Sequence, residues 1–309
     1  MNYIAQSRNL FARINAIETA VMADEAQYAA YLASMRGSQW YVNPATGLDT
    51  RSGGSWADAF KTMEAAIDVA SVGDQIYFTG TISEDSLTLA TAGVRIIGSG
   101  LAVWENATAD KTLLNIAAPY CSLQTFKIRP PAYTAGAPKG IAISGASYLQ
   151  LLGLRFQGRA ASYDALFSDV SSDNVLIQGC QFLYMNTAAN GYAIHGVPAA
   201  GGNTHAGWII DDCYFTGNVN NYVAPSKSCL IQRCTMPDYV LGPAGSAIQT
   251  TKKIDVTGTN AGFNQIHNNI LGGGALSHAA GYWGVAVNDN WSGNIVDSGA
   301  FSASTPPTS

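Results

Sequence analysis

An apolar quartet returns eight times along this chain, at −2, 0, +3 and +5 about a central residue, and no other feature restricts the fold as tightly. The clearest copies are Val175, Ile177, Cys180 and Phe182; Trp208, Ile210, Cys213 and Phe215; and Cys229, Ile231, Cys234 and Met236. Leu149, Leu151, Leu154 and Phe156 follow the same spacing, as do Cys121, Leu123, Phe126 and Ile128. Looser copies fall at Val94, Ile96, Ser99 and Leu101, at Asn264, Ile266, Asn269 and Leu271, and at Asp289, Trp291, Asn294 and Val296.

Side chains alternate faces along a strand, so a separation of three reverses the face unless the chain bends. Each copy is therefore read as two short strands meeting at a corner, with both apolar pairs turned inward. The corner residues themselves, such as Gln178 and Gly179, Asp211 and Asp212, or Gln232 and Arg233, are mostly polar. A third strand is expected upstream of most corners, at Leu114 and Ile116, Ile141 and Ile143, Tyr222 and Val223, or Val285 and Val287. Successive centres lie 21 to 35 residues apart, a period of repeats that bury their apolar faces only against neighbours. A propeller blade would need four strands, and a leucine-rich repeat would carry leucines at fixed offsets that are missing here. The expected architecture is all-β: a parallel β-helix solenoid of about eight coils with three strands per coil. Cys180, Cys213 and Cys234 at +3 should form an internal ladder that Asn269 and Asn294 continue through hydrogen bonds.

The open end of such a coil needs a cover. Phe60, Met63, Ile67 and Ala70 fall at helical spacing, with Ser55 and Asp58 as a cap and Gly73 as a stop, so a capping helix is expected over 55–73. The run Tyr41, Val42, Asn43, Pro44, Gly47, Asp49, Gly53, Gly54, Phe60, Lys61, Thr62, Ala65, Ala66, Ile67, Gly73, Asp74, Ile76 and Tyr77 resembles the opening segment of right-handed, pectate-lyase-like β-helix proteins. With the repeats, that resemblance covers roughly residues 40–300 and implies a right-handed coil. It does not select a chemistry, because the superfamily includes lyases, hydrolases, epimerases, surface proteins and phage tailspikes.

Residues 2–36 hold no Gly or Pro and read as helix. Leu10, Ile14, Ile17, Val21, Tyr28, Tyr31 and Met35 form a narrow apolar stripe, interrupted at Asp24, which favours a bundle of three copies over packing along its own coil. The chain then divides into a helical anchor (1–36), the coil (37–300) and a tail (301–309). No apolar run reaches a membrane span and no export signal opens the sequence, so folding in a cytosol is expected. The five cysteines read as small buried hydrophobes rather than a disulfide frame. Only 12% of residues are charged, net charge is −5, and no cluster of Lys or Arg stands out beyond Lys252 and Lys253. Binding of nucleic acid or of an anionic membrane through a basic patch is not expected.

This plan is similar to that of phage tailspikes and head fibres. The resemblance implies a homotrimer in the virion, attached to capsid or tail proteins through residues 1–40, whose exposed coils meet host surface polysaccharide. A tailspike-like glycan depolymerase and a bacterial surface β-helix are the alternatives. For catalysis the candidates are Asp211 and Asp212, which with Cys213 look like one element of the polygalacturonases, although that family's accompanying elements are absent. The bland reading makes them solvated corner carboxylates. Asp164, Asp169 and Asp173 could meet them on adjacent coils, but spacing alone does not align loops laterally. Arg129 lacks the carboxylate cluster of a calcium site, and His195, His205, His267 and His278 lack metal spacing, so neither metal nor cofactor is expected. Tyr192, Tyr222, Tyr239 and Tyr282 are the candidate sugar contacts, since aromatic faces stack on sugar rings.

Overall fold

The computed structural model describes residues 37–130, 138–158, 164–168, 172–185, 191–197, 205–218, 220–224, 226–237, 239–241, 247–249, 252–256, 261–271, 283–284, 288–296 and 301–303. The expected anchor helix and its stripe from Leu10 to Met35 lie outside these residues.

Three sheets run along the molecule, and the chain visits them in turn. Sheet 1 has ten strands, from Gln39–Val42 to Asn290–Ser292; sheet 2 follows the corner, from Thr81–Ser83 to Asn294–Val296; sheet 3 has eight strands, from Leu87–Leu89 to Trp283–Gly284. Every pairing between successive coils in these sheets is parallel. The central residues superpose in one buried column: Ile76, Ile96, Leu123, Leu151, Ile177, Ile210, Ile231, Ile266 and Trp291. The eight quartets thus account for eight of the ten sheet 1 strands, and the opening segment supplies the other two, Gln39–Val42 and Gln75–Phe78.

The corner works through one left-handed residue. At +2 stand Thr125, Gly153, Gly179, Asp212, Arg233, Asn268 and Gly293, with φ between 51° and 64°. A single αL residue between two extended segments turns the chain and brings the +3 residue back to the inner face, which reconciles a spacing of three with a period of two. The corners bond to one another as the strands do: Thr125 N–H donates to Leu152 O at 3.0 Å and Gly153 N–H to Gln178 O at 2.9 Å. Because αL is costly for any residue with a Cβ, Gly179→Ala should destabilise the protein by about 1 kcal/mol, and Gly179→Asn by less. The space beside Gly179 is open, its Cβ meeting nothing nearer than 4.0 Å. Urea denaturation of the two variants isolates the backbone contribution; equal midpoints for Gly, Ala and Asn would contradict it.

One copy departs from expectation. Leu101, assigned inward, is 92% exposed, and Ala102 and Trp104 fill the interior instead. Gly98, Ser99 and Gly100 lengthen that corner, so the next strand, Val103–Glu105, enters three residues later than its counterpart Lys127–Arg129.

The interior is ordered in ladders. Phe156, Phe182 and Phe215 stack face to face at 4.8 and 4.9 Å. All five cysteines are free and buried. Past Cys234 the +3 ladder becomes amide, as expected: Asn269 Oδ1 accepts from Cys234 N–H at 2.9 Å, and Asn294 Nδ2 donates to Ile266 O at 2.9 Å. A second ladder sits at −2, where Asn264 accepts from Cys229 N–H at 3.0 Å and donates to Asp289 Oδ1 at 2.9 Å. These amides bridge backbone groups where no regular strand would satisfy them.

The cap is shorter than the 55–73 expected. The helix, α1, spans Met63–Val69, and its cap is Thr62 rather than Ser55 or Asp58. Phe60 is extended, exchanging hydrogen bonds with Tyr41 and Asn43 at 2.8 Å, which removes the preceding turn from the helix. Glu84 accepts from Met63 and Glu64 N–H at 2.8 and 3.0 Å, closing the amino end of α1. At the far end Phe301–Ala303 pairs antiparallel with Asn294–Val296, so the expected tail begins as a strand of the coil.

Candidate functional site

Among the described residues, sheet 3 carries a compact group of chemistry-bearing side chains. Its strands Lys139–Ile143, Asp164–Ser168 and Tyr192–Gly196 lie side by side, with Lys139 paired to Asp164 and Asp164 to Tyr192, and Phe167 paired to His195. Ile141, Leu166 and Ile194 point inward and are buried, so alternation sends Phe167 and His195 outward.

Asp164 is wholly buried, and its Oδ2 lies 2.9 Å from His195 Nδ1. Its other oxygen, Oδ1, is buried without a well-formed hydrogen bond among the described residues. Burial raises the Asp164 pKa; the His195 hydrogen bond and the charges of His195 and Lys139 pull it partly back. The His195 ring stacks on Tyr192 at 4.0 Å and meets Phe167 at 5.3 Å in an edge contact. Lys139 Nζ sits 4.2 Å over the Phe167 ring, a cation–π contact. The group offers a carboxylate-oriented imidazole, an ammonium and two aromatic rings on one outer face.

A second group faces outward on sheet 2. Lys127 pairs in register with Arg155, and Arg129 bonds Glu105 at 3.0 Å. Partial burial lowers the Lys127 pKa, and the Arg129 and Arg155 guanidinium groups lower it further. Three cations thus gather on this face with Glu105, a basic cluster invisible in the sequence because its members come from three successive coils.

No protein-family model and no curated protein matches this chain in sequence. Among solved structures, a rhamnogalacturonan lyase is similar at a TM-score of 0.60 and 13% identity, over 77% of this chain and 69% of that one. Pectate lyase Pel9A is similar at a TM-score of 0.52 and 13% identity, over 86% of this chain and 79% of that one. The chain folds as a right-handed parallel β-helix. At this identity the likeness is one of fold.

On that coil the residues singled out in the sequence separate clearly. Asp211 braces its corner to the neighbouring coils. It accepts from Arg233 Nε at 2.8 Å, again from Arg233 Nη2, and from Gln178 Nε2 at 3.0 Å. Burial acts to raise its pKa, but the Arg233 and Gln178 bonds outweigh burial and the net shift is downward. Asp212 is the exposed αL residue of that same corner, at φ 51°. Asp173 accepts from Ala206 N–H at 3.2 Å across a coil turn, and Asp169 lies outside the described residues.

Tyr222, proposed as a sugar contact, is fully buried, with its hydroxyl bonded to Ser226 Oγ at 2.5 Å. It belongs to the inward column of sheet 3 with Ile194 and Ile254 and has no face to offer. Tyr192 is half-buried within the sheet 3 group. The backbone of Tyr239 lies in an antiparallel hairpin, Tyr239–Leu241 with Ala247–Gln249, inside the longest repeat interval; its side chain and all of Tyr282 lie outside the described residues. Apolar spacing does not reveal the pairing of Asp164 with His195, because it says nothing of lateral alignment. The available signal was their separation of 31 residues, close to one coil.

Proposed function

We propose that this protein is a bacteriophage virion rod, a homotrimer anchored through residues 1–36 to capsid or tail proteins, that presents its outer coil faces to host surface polysaccharide. The carrying observation is the outer face of sheet 3, where Tyr192, Phe167, His195 and Lys139 set aromatic rings beside hydrogen-bonding and charged groups. Carbohydrate recognition combines ring stacking with such polar contacts. The rigid coil supports this reading, since ladders through strands and corners hold the face flat across several rungs. The two fold neighbours named above are polysaccharide lyases, which favours a glycan as the ligand class. The anchoring role rests on the apolar stripe of residues 10–35.

Light scattering of the full chain should give three times the 32.4 kDa of one copy, and removal of residues 1–36 should yield a monomer whose coil still folds. Particles labelled for this chain should lose the label on the same deletion. A monomeric full chain, or particles whose label is unchanged by the deletion, would overturn the anchor. A polysaccharide-cleaving enzyme is the second reading, favoured by the likeness of the coil to two polysaccharide lyases; release of reducing ends or unsaturated products from host capsule or lipopolysaccharide would establish it.

A further inference from the structure

We infer that the outer face of sheet 3 is an ester-hydrolysing centre for O-acylated glycan, in which His195, oriented by Asp164, activates water against an acyl ester. This rests on the reading of that face as glycan-facing and names the chemistry it performs.

Asp164 Oδ2 lies 2.9 Å from His195 Nδ1, and the ionised carboxylate accepts from Nδ1–H, which selects the tautomer whose Nε2 carries a lone pair. The His195 side chain keeps 18% of its exposure while the Asp164 side chain keeps none. No residue holds Nε2, among those described. Tyr192 on one side and Phe167 at the edge restrict the ring to that orientation. A histidine that served only packing would not need a carboxylate buried beneath it with one oxygen unpartnered, because such burial is costly. The other rungs at the Asp164 register carry Lys139, Tyr192, Asn220 and Lys252, so the coil does not require an acid there.

The chemistry selects acyl transfer. One imidazole can serve both halves of ester hydrolysis, first as base and then as acid. Glycoside hydrolysis instead wants two carboxyl groups facing each other across the bond, about 5 to 9.5 Å apart. In the column of His195 the next rung offers Val223, and Asp255 stands two rungs away. In the proposed step Nε2 takes a proton from water as the water oxygen bonds to the acyl carbon. The carbonyl opens to an oxyanion, which the Lys139 ammonium on the same face stabilises. As the carbonyl re-forms, the bond from the acyl carbon to the sugar oxygen breaks, and the proton on Nε2 passes to the departing alkoxide. The products are a carboxylic acid and a free sugar hydroxyl, with no oxidant or cofactor consumed. His195 is the catalytic residue; Asp164 is a positioning residue.

The test uses the full chain with p-nitrophenyl acetate and acetylated xylan as probes. Acetate release should fall at least ~100-fold in kcat/KM for His195→Gln, which preserves a polar side chain above Asp164, and at least ~10-fold for Asp164→Asn. Both variants should melt cooperatively near the wild-type temperature. Asp164→Asn should also displace the pH profile of the wild-type rate, which a purely structural role would not do. A wild-type rate no greater than that of His195→Gln overturns the proposal, as does an unchanged pH profile in Asp164→Asn. Retention of host capsule or lipopolysaccharide by the chain without acetate release would sink this inference alone; acetate release without such retention would sink the attachment reading alone.

Discussion

Between pH 6.5 and pH 4 the protein should lose about 3 kcal/mol of stability through His205 alone. The residue is 1% exposed, neither ring nitrogen makes a well-formed hydrogen bond among the described residues, and it packs against Trp208 at 4.9 Å. Gly196 lies so close over it that a Cβ there would stand 2.6 Å from Nε2. Burial pushes the His205 pKa down to about 4, with Asp173 only partly opposing. The unfolded chain protonates this residue near 6.5. As pH falls below that value, the unfolded chain takes up a proton that the folded chain refuses, so stability declines and levels off below about 4, where both states carry it. His205→Leu should flatten this window. Removing two unpartnered buried nitrogens should also leave the protein at least as stable as wild type above pH 6.5. Urea titrations of both proteins above pH 6.5 and near pH 4 supply the comparison. The pKa shifts of Asp164, upward, and Asp211, downward, add slopes of opposite sign, but both proteins share them and they cancel in the difference. Parallel stability curves would remove His205 as the acid-sensitive group.

Phe182→Ala should cost about 3 to 5 kcal/mol, the largest single effect expected in the coil. Phe182 is the middle ring of a three-ring stack, parallel within 5° to Phe156 and within 9° to Phe215, and is fully buried. Truncation removes the ring's transfer free energy and both stacking contacts. It also leaves a cavity that cannot collapse, because the backbone on either side is locked to neighbouring coils by ladder hydrogen bonds. Phe182→Leu refills most of the space and should cost less than half as much. Since each coil touches only its neighbours, the loss should appear as reduced cooperativity, with hydrogen exchange accelerating in the coils around residue 182 before the coil near α1 responds. An unfolding midpoint for Phe182→Ala within error of wild type would show that the stack contributes little.

The sequence by itself determined the coil. The quartet spacing required two strands and a corner in each repeat, and the column through Ile177, Ile210 and Ile231 follows directly from it. The amide ladder through Asn269 and Asn294 was equally legible, because an internal position that changes from Cys to Asn keeps its hydrogen-bonding surroundings. What stayed hidden depends on lateral alignment. Leu101 faces out because the Gly98–Gly100 corner is longer than its counterparts, a matter of local backbone that apolar spacing does not encode. Tyr222 falls on an expected strand and is also a candidate sugar contact by sequence, and only its register with Ile194 and Ile254 shows that it points inward. Asp164 with His195, and Lys127 with Arg155, meet across strands whose connecting loops differ in length from coil to coil. Inward side chains repeat because the core selects them at every rung, whereas outward neighbours are set by how much chain each loop consumes before the next strand docks. Tertiary structure alone makes that decision, because strand pairing absorbs the difference in loop length and fixes which outward residues become adjacent.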